Sequence, residues 1–181
     1  MTCCAALEVS ATETDVGHVF IGCDSFLGSE EWADKIDRPK WFRRSGVVLA
    51  YAGSLHLAQS LEFNLKPWRT LRKDEDPLAY VCRVVVPAIK TLATGSKIDT
   101  SFLAVVGGQV IHIGDDLGVS RSTYGYNAIG VGSVGVTTAL RALNKLPERN
   151  RPTPRDRLRL ALEGVVEHTM GVAHPVRVER V

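Results

Sequence analysis

The chain has 181 residues, of which 45% are hydrophobic and 23% are charged, as in an ordinary globular protein. Because a chain of this length buries roughly 68–70% of its unfolded surface, one domain spanning residues 1–181 is expected. A formal net charge of +2, with no apolar run near the ~18 residues of a membrane span and no signal peptide, argues against nucleic-acid and membrane partners and favours a cytoplasmic location.

The first part of the chain is predicted to form strands. Residues 2–9 and 17–23 are rich in apolar and β-branched side chains, and the polar SATETD between them predicts a hairpin loop. Residues 28–39 contain a glycine, a proline and several charges, which predicts an irregular segment. Two further short strands are predicted over residues 40–44 and 46–52.

Two helices are predicted next. Apolar residues recur at helical spacing over residues 54–65, and Ser54 is the candidate N-cap. Asp76 followed by a proline is the start signal of a second helix over residues 77–92. Pro87 lies inside that helix and is expected to kink it, because proline lacks the amide hydrogen.

The second half of the chain again shows strands followed by helices. Three runs predict strands over residues 101–106, 109–113 and 123–130. A glycine turn leads into a helix that ends near Leu146, and a capping box at Thr153 opens a last helix to about Met170. Alternation over residues 174–181 predicts a final strand. This order predicts an α+β fold with helix pairs outside two stacked sheets.

Four cysteines stand at positions 3, 4, 23 and 82. Their spacing contains no CxxC, and the five scattered histidines do not complete a zinc pattern. Buried free thiols are therefore expected, with no metal and no cofactor. A metal site or a redox pair is the alternative.

Several local sequences carry a resemblance. Thr2 follows the initiator Met at the start of a strand, and GHVFIGCDS ends the next strand at Asp24. A lysine follows in PKWFRR, VVLAYAGS leads through Gly53 into a helix, and AIGVGSVGVTTALRAL passes from strand to glycine turn to helix. In this order nearly the whole chain resembles the β-type subunits of the proteasome family, and most closely bacterial HslV-type peptidase subunits. The resemblance implies an N-terminal nucleophile hydrolase, whose fold is a four-layer αββα sandwich.

The resemblance implies catalytic roles for four residues. Thr2 would be the nucleophile, because an N-terminal threonine carries its own base, an α-amine with a pKa of roughly 7.7–8.0. Removal of Met1 is expected to expose that amine. Lys40 would place a positive charge beside the hydroxyl, Asp24 would hold Lys40, and the backbone N–H of Gly53 would stabilise the oxyanion.

Two assignments around these residues stay open. Lys35 competes with Lys40 as the lysine of the family, because the segment that contains Lys35 is irregular. Lys40 is preferred because it directly precedes the strand pair that leads to Gly53. Tyr51, two residues before Gly53, would point into the family's substrate pocket or pack as an ordinary strand residue.

The later part of the chain offers supporting candidates that match the family less closely. Val131 occupies the place of a family serine, and Ser133 follows two residues later as a supporting hydroxyl or as a helix cap. Near the end of the last helix, Thr169 best matches a supporting serine and Glu167 a supporting acid, although Glu167 equally suits a solvated position. Phe26 stands where the family often has a polar residue.

The implied function is a threonine endopeptidase subunit of a self-compartmentalising ring that cleaves peptides or unfolded proteins through Thr2. Self-association into rings and an ATP-dependent unfoldase are the implied partners. Two alternatives stay open: a catalytically inactive ring or scaffold subunit of the same fold, and an N-terminal nucleophile amidohydrolase that acts on small amides.

Overall fold

The structure is a computed structural model that describes residues 2–11, 17–28, 33–64, 66–93 and 98–181. In chain order its strands are β1 (Cys3–Val9), β2 (His18–Cys23), β3 (Phe26–Gly28), β4 (Ala33–Lys35), β5 (Trp41–Arg44), β6 (Val47–Ala52), β7 (Ser101–Val106), β8 (Gln109–Ile113), β9 (Val119–Arg121), β10 (Tyr126–Gly130) and β11 (Arg177–Arg180). Its helices are α1 (Leu55–Phe63), α2 (Pro77–Tyr80), a π turn (Val81–Val85), α3 (Val86–Leu92), α4 (Ser133–Asn144), a 3-10 turn (Glu148–Asn150) and α5 (Pro154–Val166).

Two antiparallel sheets form the centre of the described structure. One has the strand order β10–β1–β2–β11 and the other β5–β6–β7–β8–β9, while β3 and β4 pair as a separate hairpin. Cys4 faces Cys23 across β1 and β2, and Cys3 faces Gly130 across β1 and β10. The beginning of β1 therefore lies between the ends of β2 and β10.

Three apolar layers hold four layers of secondary structure together. Successive side chains of a strand point to opposite faces. In β1, Cys3, Ala5 and Leu7 accordingly pack with residues of α4 and α5. Cys4 and Ala6 face the other way and pack with the second sheet. The third cluster joins the far face of the second sheet to α1, the π turn and α3, which completes the expected αββα sandwich.

The predicted helix starts are confirmed. The Ser54 side chain accepts a hydrogen bond from the backbone of Leu57 (3.3 Å), and Asp76 caps α2 in the same way. The Thr153 hydroxyl accepts from the backbone N–H of Asp156 (3.2 Å) at the start of α5. Near Pro87, the expected distortion takes the form of the π turn that directly precedes α3.

The last helix is shorter than predicted. It ends at Val166 and not near Met170. Its buried face consists of Leu158, Ala161, Leu162 and Val165. The positions that would continue this face after Val165 are polar, so nothing apolar remains to dock a further turn on the sheet. The prediction that Glu167 and Thr169 lie on the helix was therefore wrong: Glu167 is its C-cap and Thr169 lies beyond it.

The strand boundaries also differ from the prediction in places. The strand predicted over residues 123–130 begins at Tyr126, because Gly125 adopts a φ of +70° in a turn just before it. The segment predicted as irregular over residues 28–39 contains β4, and β9 was not predicted. Much of the predicted SATETD loop lies outside the described residues. Within the described ranges, the helices are too short or too polar to cross a membrane.

Candidate active site

Thr2 lies at the end of the sandwich where β1 begins. Its carbonyl oxygen accepts a hydrogen bond from the backbone N–H of Val131 (3.0 Å), just after β10. Gly130 makes this approach feasible, since a Cβ atom there would lie 1.9 Å from the Thr2 carbonyl oxygen. Only 8% of Thr2 is exposed. The backbone of Thr2 is thus fixed by the edge strand β10.

Asp24 directly follows β2 and is completely buried. Its Oδ1 atom accepts hydrogen bonds from the backbone N–H of Cys3 (2.8 Å) and from Lys40 Nζ (2.8 Å). Its Oδ2 atom accepts from the backbone N–H groups of Phe26 (2.8 Å) and Ala173 (3.3 Å). Four donors therefore satisfy both oxygens of this carboxylate, which is what a buried charge requires.

Lys40, just before β5, joins Asp24 to Thr2. Its ammonium group lies 2.7 Å from Thr2 Oγ1 and 2.8 Å from Asp24 Oδ1, and the residue is 2% exposed. Lys35 instead lies exposed on β4, opposite Phe26 in the hairpin. Of the two lysines left open by the sequence, the structure brings Lys40 to Thr2. A positive charge at this distance stabilises a developing alkoxide on the hydroxyl oxygen.

Buried thiols surround the backbone of Lys40. The Lys40 N–H donates to Cys23 Sγ (3.4 Å), and the Cys4 thiol donates to the carbonyl oxygen of Tyr51 (3.3 Å). Burial raises the pKa of the Cys3 thiol to about 12, so this neighbour of Thr2 stays protonated near neutral pH. The expectation of buried free thiols is confirmed for these three cysteines, whereas Cys82 is exposed.

Gly53 follows β6 in a conformation that suits only glycine. Its φ is +136°, and a Cβ atom would lie 2.3 Å from the carbonyl oxygen of Asp99. The next residue, Ser54, donates its N–H to the buried hydroxyl of Thr100 (2.8 Å). The chain from 99 to 100 therefore fixes the turn at Gly53. Sequence reasoning did not find Thr100, because a lone threonine before a strand carries no distinctive signal.

A cavity of about 240 Å³ opens beside Thr2. Thr2, Lys40 and Gly53 line it, together with side chains that are mostly apolar: Phe26, Leu27, Ile36, Tyr51 and Leu55. Burial raises the pKa of the Tyr51 hydroxyl to about 12, which keeps this wall uncharged. Tyr51 thus faces the cavity and packs against the core at the same time.

Comparison with solved structures identifies the fold. BPH of Thiobacillus denitrificans, in complex with epoxomicin, superposes with a TM-score of 0.77 at 15% identity, over 99% of this chain and 98% of BPH. HslV of Trypanosoma brucei gives a TM-score of 0.66 at 20% identity, over 97% of this chain and 98% of HslV. Anbu, an ancestral beta-subunit from Yersinia bercovieri, gives a TM-score of 0.65 at 15% identity, over 99% of this chain and 81% of Anbu. No protein-family model and no curated sequence matches the chain.

The chain has the N-terminal nucleophile hydrolase fold of HslV-like proteins. At the level of the fold, the α+β sandwich and the resemblance to HslV that the sequence predicted are confirmed. In this fold the Thr2, Asp24 and Lys40 side chains converge at the beginning of β1.

The three supporting residues proposed from the sequence do not join the cluster of Thr2, Asp24 and Lys40. Ser133 is the first residue of α4, and the N-cap is Gly132, so Ser133 does not cap the helix with its side chain. Glu167 is exposed and Thr169 half-buried. In the described part of the chain, none of these three side chains forms a hydrogen bond with Thr2. Val131, at the position where the resemblance led us to expect a serine, is half exposed.

Besides Thr100, two further contributors to the site were not predicted from the sequence. Ala173 donates its backbone N–H to Asp24, and the buried Ser25 holds the same segment. A backbone donor leaves no trace in residue type, whereas a serine directly after Asp24 was a signal that could have been used. Over the described residues, no group of three or more His, Cys, Asp or Glu side chains could hold a metal ion.

Proposed function

We propose that the chain is a threonine peptidase subunit that hydrolyses peptide bonds through Thr2 once Met1 has been removed. The observation that carries the proposal is the 2.7 Å contact between Lys40 Nζ and Thr2 Oγ1, backed by the buried carboxylate of Asp24. The fold supports it, because this fold places a nucleophile at the start of the same strand. Met1 itself lies outside the described residues.

The proposed reaction uses the free α-amine of Thr2 as its base. The amine takes the hydroxyl proton, and Oγ1 attacks the substrate carbonyl while Lys40 stabilises the negative charge on Oγ1. The carbonyl oxygen becomes an oxyanion that the N–H of Gly53 stabilises. The C–N bond then breaks, and the leaving amine takes the proton from the Thr2 ammonium. Water attacks the resulting ester with help from the same amine, which releases the carboxylic acid and restores Thr2.

The cavity beside Thr2 supports a peptide substrate, since it offers one apolar recess next to the nucleophile. We further propose that the chain assembles with copies of itself into a ring in the cytoplasm, served by an ATP-dependent unfoldase. BPH was solved with epoxomicin, which makes that compound a suitable probe for this chain.

The test compares protein from which Met1 has been removed, as verified by mass, with its Thr2→Ala and Thr2→Ser variants. We expect wild type to cleave fluorogenic peptides and to gain the mass of epoxomicin, Thr2→Ser to keep part of the activity, and Thr2→Ala to lose at least a thousandfold. Equal cleavage by wild type and Thr2→Ala refutes the proposed mechanism.

An inactive ring subunit of the same fold is the second candidate. The observation that favours it is that Val131 brings no hydroxyl next to the Thr2 backbone and that Ser133 does not replace it. A retained Met1 on the natural protein, together with no epoxomicin adduct, would support this alternative. Cleavage of small amides but not of peptides would instead indicate an amidohydrolase.

A further inference from the structure

The chain between α5 and β11 returns to the site and packs against the residues that follow β2. Ser25 donates its backbone N–H to the carbonyl oxygen of Ala173 (2.9 Å) and its hydroxyl to the carbonyl oxygen of Pro175 (2.5 Å). Ala173 donates its own N–H to Asp24 Oδ2 (3.3 Å). We call Ser25, Ala173 and Pro175 the C-terminal clamp.

The clamp is anchored on both sides. Just beyond it, Arg177 of β11 pairs with Cys23 of β2, directly before Asp24. On the other side of the clamp, the carbonyl oxygen of Ser25 accepts a hydrogen bond from the backbone of Ile36 (2.9 Å), at the end of the β3–β4 hairpin. Ser25 is 1% exposed, so its hydroxyl has no water to replace the Pro175 carbonyl oxygen.

The position of the clamp determines which way the Asp24 carboxylate faces. A partial rotation about the Cβ–Cγ bond of Asp24 would tilt the plane of the carboxylate and move Oδ1 away from Lys40 Nζ. Phe26 and Ala173 hold Oδ2 on one side, and Oδ1 is thereby kept toward Lys40. Of these two donors, Phe26 lies only two residues from Asp24, whereas Ala173 comes from the far end of the chain and depends on the clamp to stay there.

We propose that Ser25 is a positioning residue for hydrolysis: through its bonds to Ala173 and Pro175 it keeps the Ala173 N–H on Asp24 and so fixes Lys40 against Thr2. The catalytic part of this inference rests on the proposed function. Ser25, Ala173 and Pro175 do not line the cavity beside Thr2, so the clamp acts on the rate of the chemical step and not on substrate binding.

The experiment compares Ser25→Ala, which removes the hydroxyl, with Ser25→Thr, which keeps it, in otherwise full-length protein freed of Met1. Tyr80→Phe is the matched control, because it also removes a hydroxyl that donates to a carbonyl oxygen, in this case that of Arg69. Tyr80 is buried between the second sheet and its helices, away from the clamp. Hydrogen–deuterium exchange of the peptide covering residues 171–176, kcat, KM and the melting temperature are measured for each variant.

For Ser25→Ala we expect exchange in residues 171–176 to become about tenfold faster and kcat to fall about tenfold, with KM unchanged within about twofold. Ser25→Thr keeps the hydroxyl, so its exchange rate in residues 171–176 and its kcat are expected to stay close to those of wild type. Tyr80→Phe is expected to lower the melting temperature about as much as Ser25→Ala does, but to change neither the exchange of residues 171–176 nor kcat. If Ser25→Ala does not fold, Ser25→Cys, which keeps a weak donor of similar size, replaces it with the same readouts.

Three outcomes overturn the inference. Unchanged exchange in Ser25→Ala would show that the hydroxyl does not hold the clamp. Faster exchange with unchanged kcat would show that the clamp does not position Asp24, and an equal fall of kcat in Tyr80→Phe would reduce the effect to general destabilisation. An inactive wild type refutes the proposed function instead, and the exchange measurement, which needs no activity, still decides whether Ser25 holds the clamp on Asp24.

Discussion

The two sides of the candidate site are built differently. On the N-terminal side, residues at the ends of neighbouring strands bring three polar side chains together: Thr2, Asp24 and Lys40. On the C-terminal side, the turn before α4 and the chain after α5 contribute backbone groups, the N–H groups of Val131 and Ala173. The chemistry of the first side therefore depends on residue type, whereas that of the second depends on the path of the chain.

Sheet register explains why the N-terminal side is so well defined. A slip of one residue between β1 and β2 would move every side chain to the opposite face, which the two apolar layers around β1 oppose. With Cys4 opposite Cys23, Thr2 lies two residues before this pair on one strand and Asp24 one residue after it on the other, so both are held at the same end of the sheet. No comparable constraint fixes side chains beyond the end of a helix.

The largest expected effect comes from breaking the N-terminal side at Lys40. Lys40→Met would remove the charge beside Thr2 and leave Asp24 buried without its cationic partner. We expect peptide hydrolysis to fall about a thousandfold and the free energy of unfolding to fall by about 3–5 kcal/mol. Lys35→Met is the matched control, since Lys35 is exposed, and it should change the stability by less than about 0.5 kcal/mol.

A double-mutant cycle separates the pair from its members. Each single change leaves one buried charge without its partner, whereas the double variant leaves none. Asp24→Asn combined with Lys40→Met should therefore destabilise the chain by clearly less than the sum of the two single changes. Strict additivity in urea unfolding, or equal activity loss in Lys35→Met, would contradict the central role of the Asp24–Lys40 pair.

The next largest effect is expected at Gly53. In Gly53→Ala the new Cβ would collide with the carbonyl oxygen of Asp99, so the turn must shift. Backbone strain and overpacking each cost about 1–3 kcal/mol, and loss of an oxyanion donor costs about a hundredfold in kcat. Gly46→Ala provides the comparison, because Gly46 also has a positive φ (+79°) but open space around it.

Gly46→Ala should cost about 1 kcal/mol and leave kcat unchanged. The two variants thus separate the general cost of a positive φ from the specific role of the Gly53 turn. Equal kcat values for Gly53→Ala and wild type at a temperature where both are folded would remove Gly53 from the proposed mechanism.

A smaller effect is expected from the side chains on the C-terminal side. Ser133→Ala, Glu167→Gln and Thr169→Val should each change kcat by less than about twofold, because none of these side chains contacts Thr2 among the described residues. The measurement is steady-state peptide hydrolysis with the three variants side by side. A tenfold loss in any of them would mean that this side contributes side-chain chemistry after all, and the contrast between the two sides would fail.

The sequence predicted the N-terminal side well and the C-terminal side poorly, for the same physical reason. Strand ends could be located from apolar runs and the polar residues beside them, and in the structure Asp24 directly follows β2 and Lys40 directly precedes β5. The catalytic roles of the two residues came from the resemblance and stay predictions. The end of α5 could not be located, because the Glu, His and Thr that follow Val166 are tolerated within a helix, and only packing decides where the last turn stops. Thr169 was assigned a place that depended on that end.

The backbone contacts could not be predicted at all from residue types. The Ala173 N–H reaches Asp24 because β11 pairs with β2 and returns the chain to this end of the sheet. Recognition of the final strand from its alternation was correct, but its partner strand and register are tertiary facts. The short strands β3 and β4 escaped notice because three-residue strands carry too few positions for a pattern.

The smallest expected effect concerns the thiols that follow Thr2. It tests whether the nucleophile is the Thr2 hydroxyl or a cysteine of β1. Cys3 and Cys4 follow Thr2 directly, so loss of activity on treatment with a thiol reagent would suggest a cysteine nucleophile. Burial raises the pKa of Cys3 to about 12 and that of Cys4 well above its ordinary value, so neither offers a thiolate near neutral pH. Iodoacetamide at pH 8 should therefore modify the exposed Cys82 and leave peptide hydrolysis unchanged.

Mass spectrometry of digested protein identifies the alkylated sites, and Cys82→Ser is the control that should take up no reagent while folded. In denaturant, Cys3, Cys4 and Cys23 should all react, since burial alone protects them. Inactivation that tracks alkylation of Cys3 in the folded protein would contradict the assignment of Thr2. Such a result would move the nucleophile one residue along β1, to a side chain that faces α4 and α5 and not Lys40.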